Sequence, residues 1–308
     1  MQKTKVPDLS IKLTPGLCLS NPVMTASGTF GYGIESSNLI DIQCLGAIIC
    51  KGTTIKPRKG NKQPRIVETP SGMLNSIGLQ NIGIDALIKE KAPVWAKWHV
   101  PVIVNICGET KDEYVELAKR LNDIAGVSGL EVNISCPNVD KGCMEFGANP
   151  EAAYDITSAV KAATSLPVII KLTPNTSDIV AVAIAVENAG ADAISLINTL
   201  MGMSIDTGKR KPVLANVTGG LSGPAIKPIA LYIVYKVAKA VKIPLIGCGG
   251  IASTNDALEF IMAGASAIQI GTVSMVNPTI FIQIIDGINA FMYKRGIYKL
   301  DDIIGIAS

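Results

Sequence analysis

A closed (β/α)8 barrel is the fold class that this sequence predicts. Three observations carry the expectation: eight short, almost continuously apolar runs, helical periodicity between them, and a length of 308 residues. A barrel needs roughly 250 residues plus insertions, so the length fits. Hydrophobic residues make up 48% of the chain and charged residues 17%. That balance supplies a large dry core and excludes a disordered or solvating protein. An open doubly wound sheet is the runner-up.

The runs are "PVMTASG" (22–28), "LGAIICKG" (45–52), "PVIVNIC" (101–107), "GLEVNIS" (129–135), "PVIIKLT" (167–173), "ADAISLINT" (191–199), "PLIGCGG" (244–250) and "ASAIQIGT" (265–272). Apolar residues run on without alternation, as expected where helices cover the outer face of a parallel sheet. Helices are expected between them. "KDEYVELAKRLNDIA" sets Tyr114, Leu117, Leu121 and Ile124 on one stripe, with acids early and bases late. "NPEAAYDITSAVKAATS" opens with Asn149 as cap and Pro150 in the first turn; "NPTIFIQIIDGINAFM" is expected to do the same with Asn277 and Pro278.

Before the first run, "SIKLTPGLCLS" reads as a hairpin turning at Pro15-Gly16 and capping the bottom of the barrel. Long loops follow the second, fourth and sixth runs, at 53–83, 138–148 and 200–222, and should rise above the C-terminal face. No linker-like tract divides residues 1–308, so the chain is read as one domain.

A net charge of +3 is too small to imply a nucleic-acid or membrane surface. The seven cysteines are scattered and contain no CxxC pair, against a structural zinc site or a cysteine-ligated cluster. Reduced thiols in a cytoplasmic enzyme fit them best. The single histidine, His99, excludes histidine triads and multi-histidine metal sites, and no metal is expected. The opening stretch lacks the apolar core of a signal peptide. The helix candidate "DIVAVAIAVENAG" is too short to span a bilayer.

In a barrel the working groups gather at the C-terminal ends of the strands. Those ends supply Ser27, Lys51, Asn105, Asn133, Cys136, Lys171, Asn198 and Thr199. An asparagine at a strand end is commonly a turn-former and a lysine commonly snorkels to solvent. So many at one rim argue for a site. The last two ends, "GCGG" and "GT", are small enough for backbone N–H groups to reach an anion, and the loops after strands 7 and 8 are the usual phosphate seat of the fold. "GCGGIA" also matches a dinucleotide pattern, but the next strand ends in Gly271 and Thr272 where an acid should hold the ribose. The phosphate reading is kept. Lysine, asparagines and phosphate together suggest a mononucleotide cofactor. Cys136 is the one candidate base on that rim without a permanent charge.

"ASGTFGYG", "KGTTIKPRKGNKQPRIVETPSGMLNSIGLQNIG", "NISCPNV", "INTLMGM", "TGGLSGPAIKP", "GCGGI" and "IGT" together resemble the dihydroorotate dehydrogenases, most of all the class 1B catalytic subunits. The likeness runs over almost the whole chain. It implies an FMN enzyme of pyrimidine biosynthesis that oxidises dihydroorotate to orotate. By resemblance, FMN would be held by Ser27, Lys51, Gly52, Asn105, Asn133, Lys171, Ile197 and Gly223, with its phosphate on Gly249, Gly250, Gly271 and Thr272. Substrate would contact Lys51, Asn75, Ser76, Ile77, Gly78, Leu79, Asn133, Asn198 and Thr199. Cys136 would be the base for C5 while hydride leaves C6.

Class 1B resemblance further implies a homodimer joined by two iron–sulfur subunits carrying FAD and a [2Fe-2S] cluster, which pass electrons to NAD. A class 1A homodimer using fumarate is the alternative, and a phosphosugar lyase or isomerase on the same barrel a more distant one. An RNA-modifying flavoenzyme would recruit "KPRKGNKQPR", which reads more simply as a solvated loop. Cys143 is given no chemistry.

Overall fold

The structure, a computed structural model, describes residues 6–135 and 147–307. Eight parallel strands form the centre: β1 (Val23–Thr25), β2 (Ile48–Ile49), β3 (Val102–Ile106), β4 (Gly129–Asn133), β5 (Val168–Lys171), β6 (Ala193–Leu196), β7 (Leu245–Cys248) and β8 (Ala265–Ile270). Their hydrogen-bonded order is β1-β8-β7-β6-β5-β4-β3-β2. A parallel bridge between Met24 and Ala47 joins the two ends, so the sheet closes as expected. All residues of β3, β4, β5 and β6 are buried. Their continuous apolar runs are what a sheet packed on both faces requires.

Helices cover the outside: α1 (83–95, with a π-helical middle at Leu87–Lys91), α2 (Lys111–Leu121), α3 (Pro150–Ala163), α4 (Ile179–Asn188), α5 (Lys227–Ala238), α6 (Thr254–Met262) and α7 (Ile280–Arg295). Their starts follow from side chains that satisfy the first free N–H groups. Thr110 accepts from Glu113 N, Asn149 from the N–H groups of Glu151 and Ala152, Asp178 from Val180 and Ala181, and Ser253 from Asp256.

Three expectations change. β1 is followed by two 3-10 turns, Ile34–Ser36 and Ile42–Cys44, and not by a helix. α7 begins at Ile280 with Thr279 in the cap position. Asn277 instead closes a local turn, its Oδ1 accepting from Thr279 N at 3.2 Å and Thr279 Oγ1 at 2.8 Å. The long segments after β2 and β6 do rise above the mouth, but they pair with each other. Ile66–Thr69, Gly72–Asn75, Thr218–Ser222 and Leu200–Met203 make a four-stranded antiparallel sheet. The loop after β4 falls almost wholly on residues 136–146, outside those described.

The hairpin forms as expected, Ile11–Thr14 against Leu17–Leu19, with Gly16 at φ 84° taking the left-handed conformation the turn needs. It packs on β8 and buries Leu13, Leu17 and Leu19, stoppering the end of the barrel away from the mouth. No helix is long and apolar enough to cross a membrane among the described residues. Leu13→Ala should lower unfolding stability by about 2–5 kcal/mol, read from urea midpoints. Ligand affinity at the opposite end should not change.

Candidate active site

The floor of the mouth is built around one carboxylate. Glu131 sits in β4 between Leu130 and Val132, is fully buried, and its side chain enters the barrel interior. Oε1 accepts from Asn105 Nδ2 of β3 at 2.7 Å. Oε2 accepts from Ser195 Oγ of β6 at 2.9 Å and from Gln269 Nε2 of β8. Lys171 of β5 lies 3.7 Å from Oε1 and donates to Gln269 Oε1 at 3.1 Å. A buried charge is costly unless paired and hydrogen-bonded, and these partners supply both. Burial alone would lower the pKa of Lys171. The Glu131 carboxylate beside it, with smaller contributions from Cys248 and Cys107, outweighs burial and holds the ammonium above the ordinary lysine value.

Two residues further up β4, the amides are set. Ser135 Oγ donates to Asn133 Oδ1 at 2.7 Å and accepts from Asn198 Nδ2 at 2.8 Å. Tyr114 of α2 donates to the Asn133 carbonyl at 2.8 Å. Asn198 Oδ1 in turn accepts from Thr199 N at 2.8 Å, just beyond the cis Leu196–Ile197 peptide. Asn133 and Asn198 are therefore tied together across the strand ends.

Above this floor lies a cavity roofed in part by the antiparallel sheet, which contributes Ile66, Met73, Asn75 and Ser222. Its charged lining residues, among those described, are Lys51 and Lys171; no carboxylate lines it. Burial, and then the nearby Arg65 guanidinium, lower the pKa of Lys51, with Glu35 opposing.

The far end is backbone. Gly223, Gly249, Gly250, Gly271 and Thr272 line it. Beyond the last ladder pair of β7 and β8, Cys248 with Gln269, the N–H groups of Gly250, Gly271 and Thr272 take no part in the backbone hydrogen bonds of the turns and loops among the described residues. At Gly250, φ is 75° and a Cβ would lie 2.8 Å from the Gly223 carbonyl oxygen and from Lys227 N, so only glycine fits. Asp256, at the start of α6, steadies this loop by accepting from Ala252 N at 3.0 Å and Lys227 Nζ at 2.6 Å. Backbone N–H groups, cations and oriented amides make this a seat for an anionic, imide-bearing ligand.

The dihydroorotate dehydrogenase family model matches residues 9–292. The chain belongs to the dihydroorotate dehydrogenase family. It is 56% identical over 299 residues to a Pelobacter propionicus protein named dihydroorotate dehydrogenase B (NAD(+)), catalytic subunit, covering 97% of this chain and 98% of the relative. A Thermoanaerobacter protein of the same name is 57% identical over 290 residues, covering 94% and 96%. In fold, the chain is similar to a crystal structure of dihydroorotate dehydrogenase from Eimeria tenella in complex with ferulenol. The TM-score is 0.83 at 23% identity, covering all of this chain and 90% of that one.

Of the residues that the dihydroorotate dehydrogenase resemblance singled out, Ser27, Lys51, Gly52, Asn105, Asn133, Lys171 and Ile197 converge on the cavity, as do Asn75, Ile77, Gly78, Leu79, Asn198 and Thr199. Ser76 is not among the lining residues. It is fully buried, its Oγ and carbonyl oxygen accepting from Asn61 Nδ2 at 3.1 and 3.2 Å. Cys136 lies outside the described residues, directly after Ser135. Sequence reasoning passed over Glu131, Ser195 and Gln269. The available signal was alternation: Glu131, Asn133 and Ser135 recur every second residue in "LEVNIS", the spacing of one strand face.

Removing the cation alone should expose the cost of the buried acid. Lys171→Met should destabilise the fold by about 3–5 kcal/mol, measured by denaturant unfolding. A loss under about 1 kcal/mol, the range of exposed pairs, would show that the pair is solvated.

Proposed function

We propose that this chain oxidises dihydroorotate to orotate as an FMN-dependent catalytic subunit, with electrons leaving to NAD through an iron–sulfur flavoprotein partner. One observation carries the reading. A single cavity joins a glycine-lined anion seat to a floor of buried lysine and oriented amides, with no carboxylate among its described lining residues. The names of the Pelobacter and Thermoanaerobacter relatives support both the NAD-linked activity and a partner subunit. The assembly is read as a cytoplasmic homodimer joined by two partners, which carry FAD and [2Fe-2S].

The residues present fit FMN. Gly249, Gly250, Gly271 and Thr272, which line the far end of the cavity, would hold its phosphate through backbone N–H groups. Ser27, Lys51, Gly52, Ile197 and Gly223 would border it. Asn105, Asn133 and Lys171 would meet its polar edge, where the lysine cation favours negative charge developing on the ring. When bound, FMN accepts the hydride from C6 of dihydroorotate.

The chain's own groups bind, orient and take the proton. Lys51 is the cation for the substrate carboxylate, and Asn75, Asn133, Asn198 and Thr199 offer donors and acceptors to its ring amides. Ile77 to Leu79 close the remaining side. Cys136 takes the proton from C5. It follows Ser135 in the chain, which Asn133 and Asn198 anchor from two sides. A thiol ordinarily ionises near pH ~8.5, and the thiolate is the competent base.

Three assays test this. Cys136→Ala should retain FMN, read by absorbance of the bound flavin, and lose about 10²–10⁴-fold in kcat. The wild-type kcat should rise from pH 7 to 9; near-normal turnover in the variant, or a flat wild-type profile, removes the thiol from the reaction. Dihydroorotate oxidation by the isolated chain should reduce NAD only after the partner is added. Fast NAD reduction by the chain alone, or preferential use of fumarate, contradicts the proposed electron path.

A further inference from the structure

We propose that Glu131, which lies behind the cavity wall and is not among its lining residues, is the positioning residue of this site: it holds the Lys171 ammonium at the floor and fixes the direction of the Asn105 amide. The inference rests on the FMN reading above and concerns only this chain's residues.

A carboxylate only accepts hydrogen bonds, so every group facing Glu131 must present a donor. Asn105 turns Nδ2 towards it. Its Oδ1 is thereby left facing Gly52, 3.1 Å from where a Cβ would stand, with Cys107 Sγ donating to it at 3.4 Å. Gln269 likewise gives Nε2 to Glu131 and leaves Oε1 for Lys171. A neutral amide at 131 would offer a donor as well as an acceptor, and either Asn105 or the Ser195–Gln269 pair would then face donor to donor.

The charge of Lys171 depends on the same group. The neighbours of the pair are Asn105 from β3, Ser195 from β6 and Gln269 from β8, all neutral amides or hydroxyls. Around them lie the thiols of Cys50, Cys107 and Cys248, which enter the electrostatics of Glu131 or Lys171. Burial raises the pKa of Cys50 to about 12, and burial outweighs Lys171 in raising that of Cys248, so neither thiol replaces the carboxylate. Without Glu131, burial would act on Lys171 unopposed by any permanent anion in this set and would favour its neutral form. A purely structural role would not require the ammonium to line the cavity, as Lys171 does. Buried ion pairs are in general weak contributors to stability against apolar replacements.

The test uses the full chain loaded with FMN and reads the midpoint potential of the bound flavin between pH 6 and 9. In Glu131→Gln, Lys171 should lose its proton within that window. The reduced-to-oxidised ratio at fixed ambient potential should then fall at least tenfold more than in wild type, about 30 mV for a two-electron couple. The kcat should fall in parallel while KM for dihydroorotate moves less. A potential that tracks wild type across the window overturns the proposal even if stability drops. Glu131→Gln/Lys171→Met, which removes both charges, should lack the added pH dependence. If the single variant fails to fold and the double variant folds, the coupling is supported. If both fail to fold, Glu131 serves the fold and the proposal falls. Wild-type protein that takes up no FMN defeats the FMN reading, and this inference with it.

Discussion

A carboxylate in the interior of a barrel has to be answered by donors from several directions, and Glu131 is answered from β3, β6 and β8, with the Lys171 cation from β5. Gln269 and Glu131 belong to strands that are not neighbours in the sheet, so their hydrogen bond crosses the interior. It exists only if the sheet closes, which the Met24–Ala47 bridge accomplishes. Closure and site assembly are thus one constraint. A barrel that failed to close would strand a buried charge, at a cost of several kcal/mol.

From that floor the site builds upward by short steps. Asn105 and Lys171 connect Glu131 to the cavity, Asn133 and Asn198 are locked through Ser135, and the antiparallel sheet after β2 and β6 closes over them. Oriented dipoles need no reorganisation as charge develops in the reaction. The opposite end of the molecule carries stability instead: the hairpin around Gly16 seals the barrel bottom with Leu13, Leu17 and Leu19. This division lets the mouth keep polar groups that a core would exclude.

Much of this was legible in the sequence because it is local. Apolar runs located the barrel strands, and Asn149 with Pro150 marked the start of α3. Residues at strand ends announced the rim, and "GCGG" and "GT" announced the anion seat. What escaped notice is non-local. The roof sheet depends on pairs such as Asn75 with Gly220, which leave no periodicity in either segment. Glu131 looked like an interruption of an apolar run, since its partners lie 26 to 138 residues away. Asn277 has the residue type of a cap but spends its oxygen on Thr279, which shifts the helix start.

The proposed function comes down to one arrangement: a flavin between a lysine-bearing floor and a substrate whose proton Cys136 would take. A crystal structure of the chain with FMN and orotate tests it directly. Phosphate oxygens should lie within hydrogen-bond distance of the Gly250 and Thr272 N–H groups, the ring's polar edge at Lys171 and Asn105, and Cys136 Sγ should face C5 of orotate from the side away from the flavin. A phosphate seated elsewhere, or a Cys136 sulfur turned away from orotate, would contradict it.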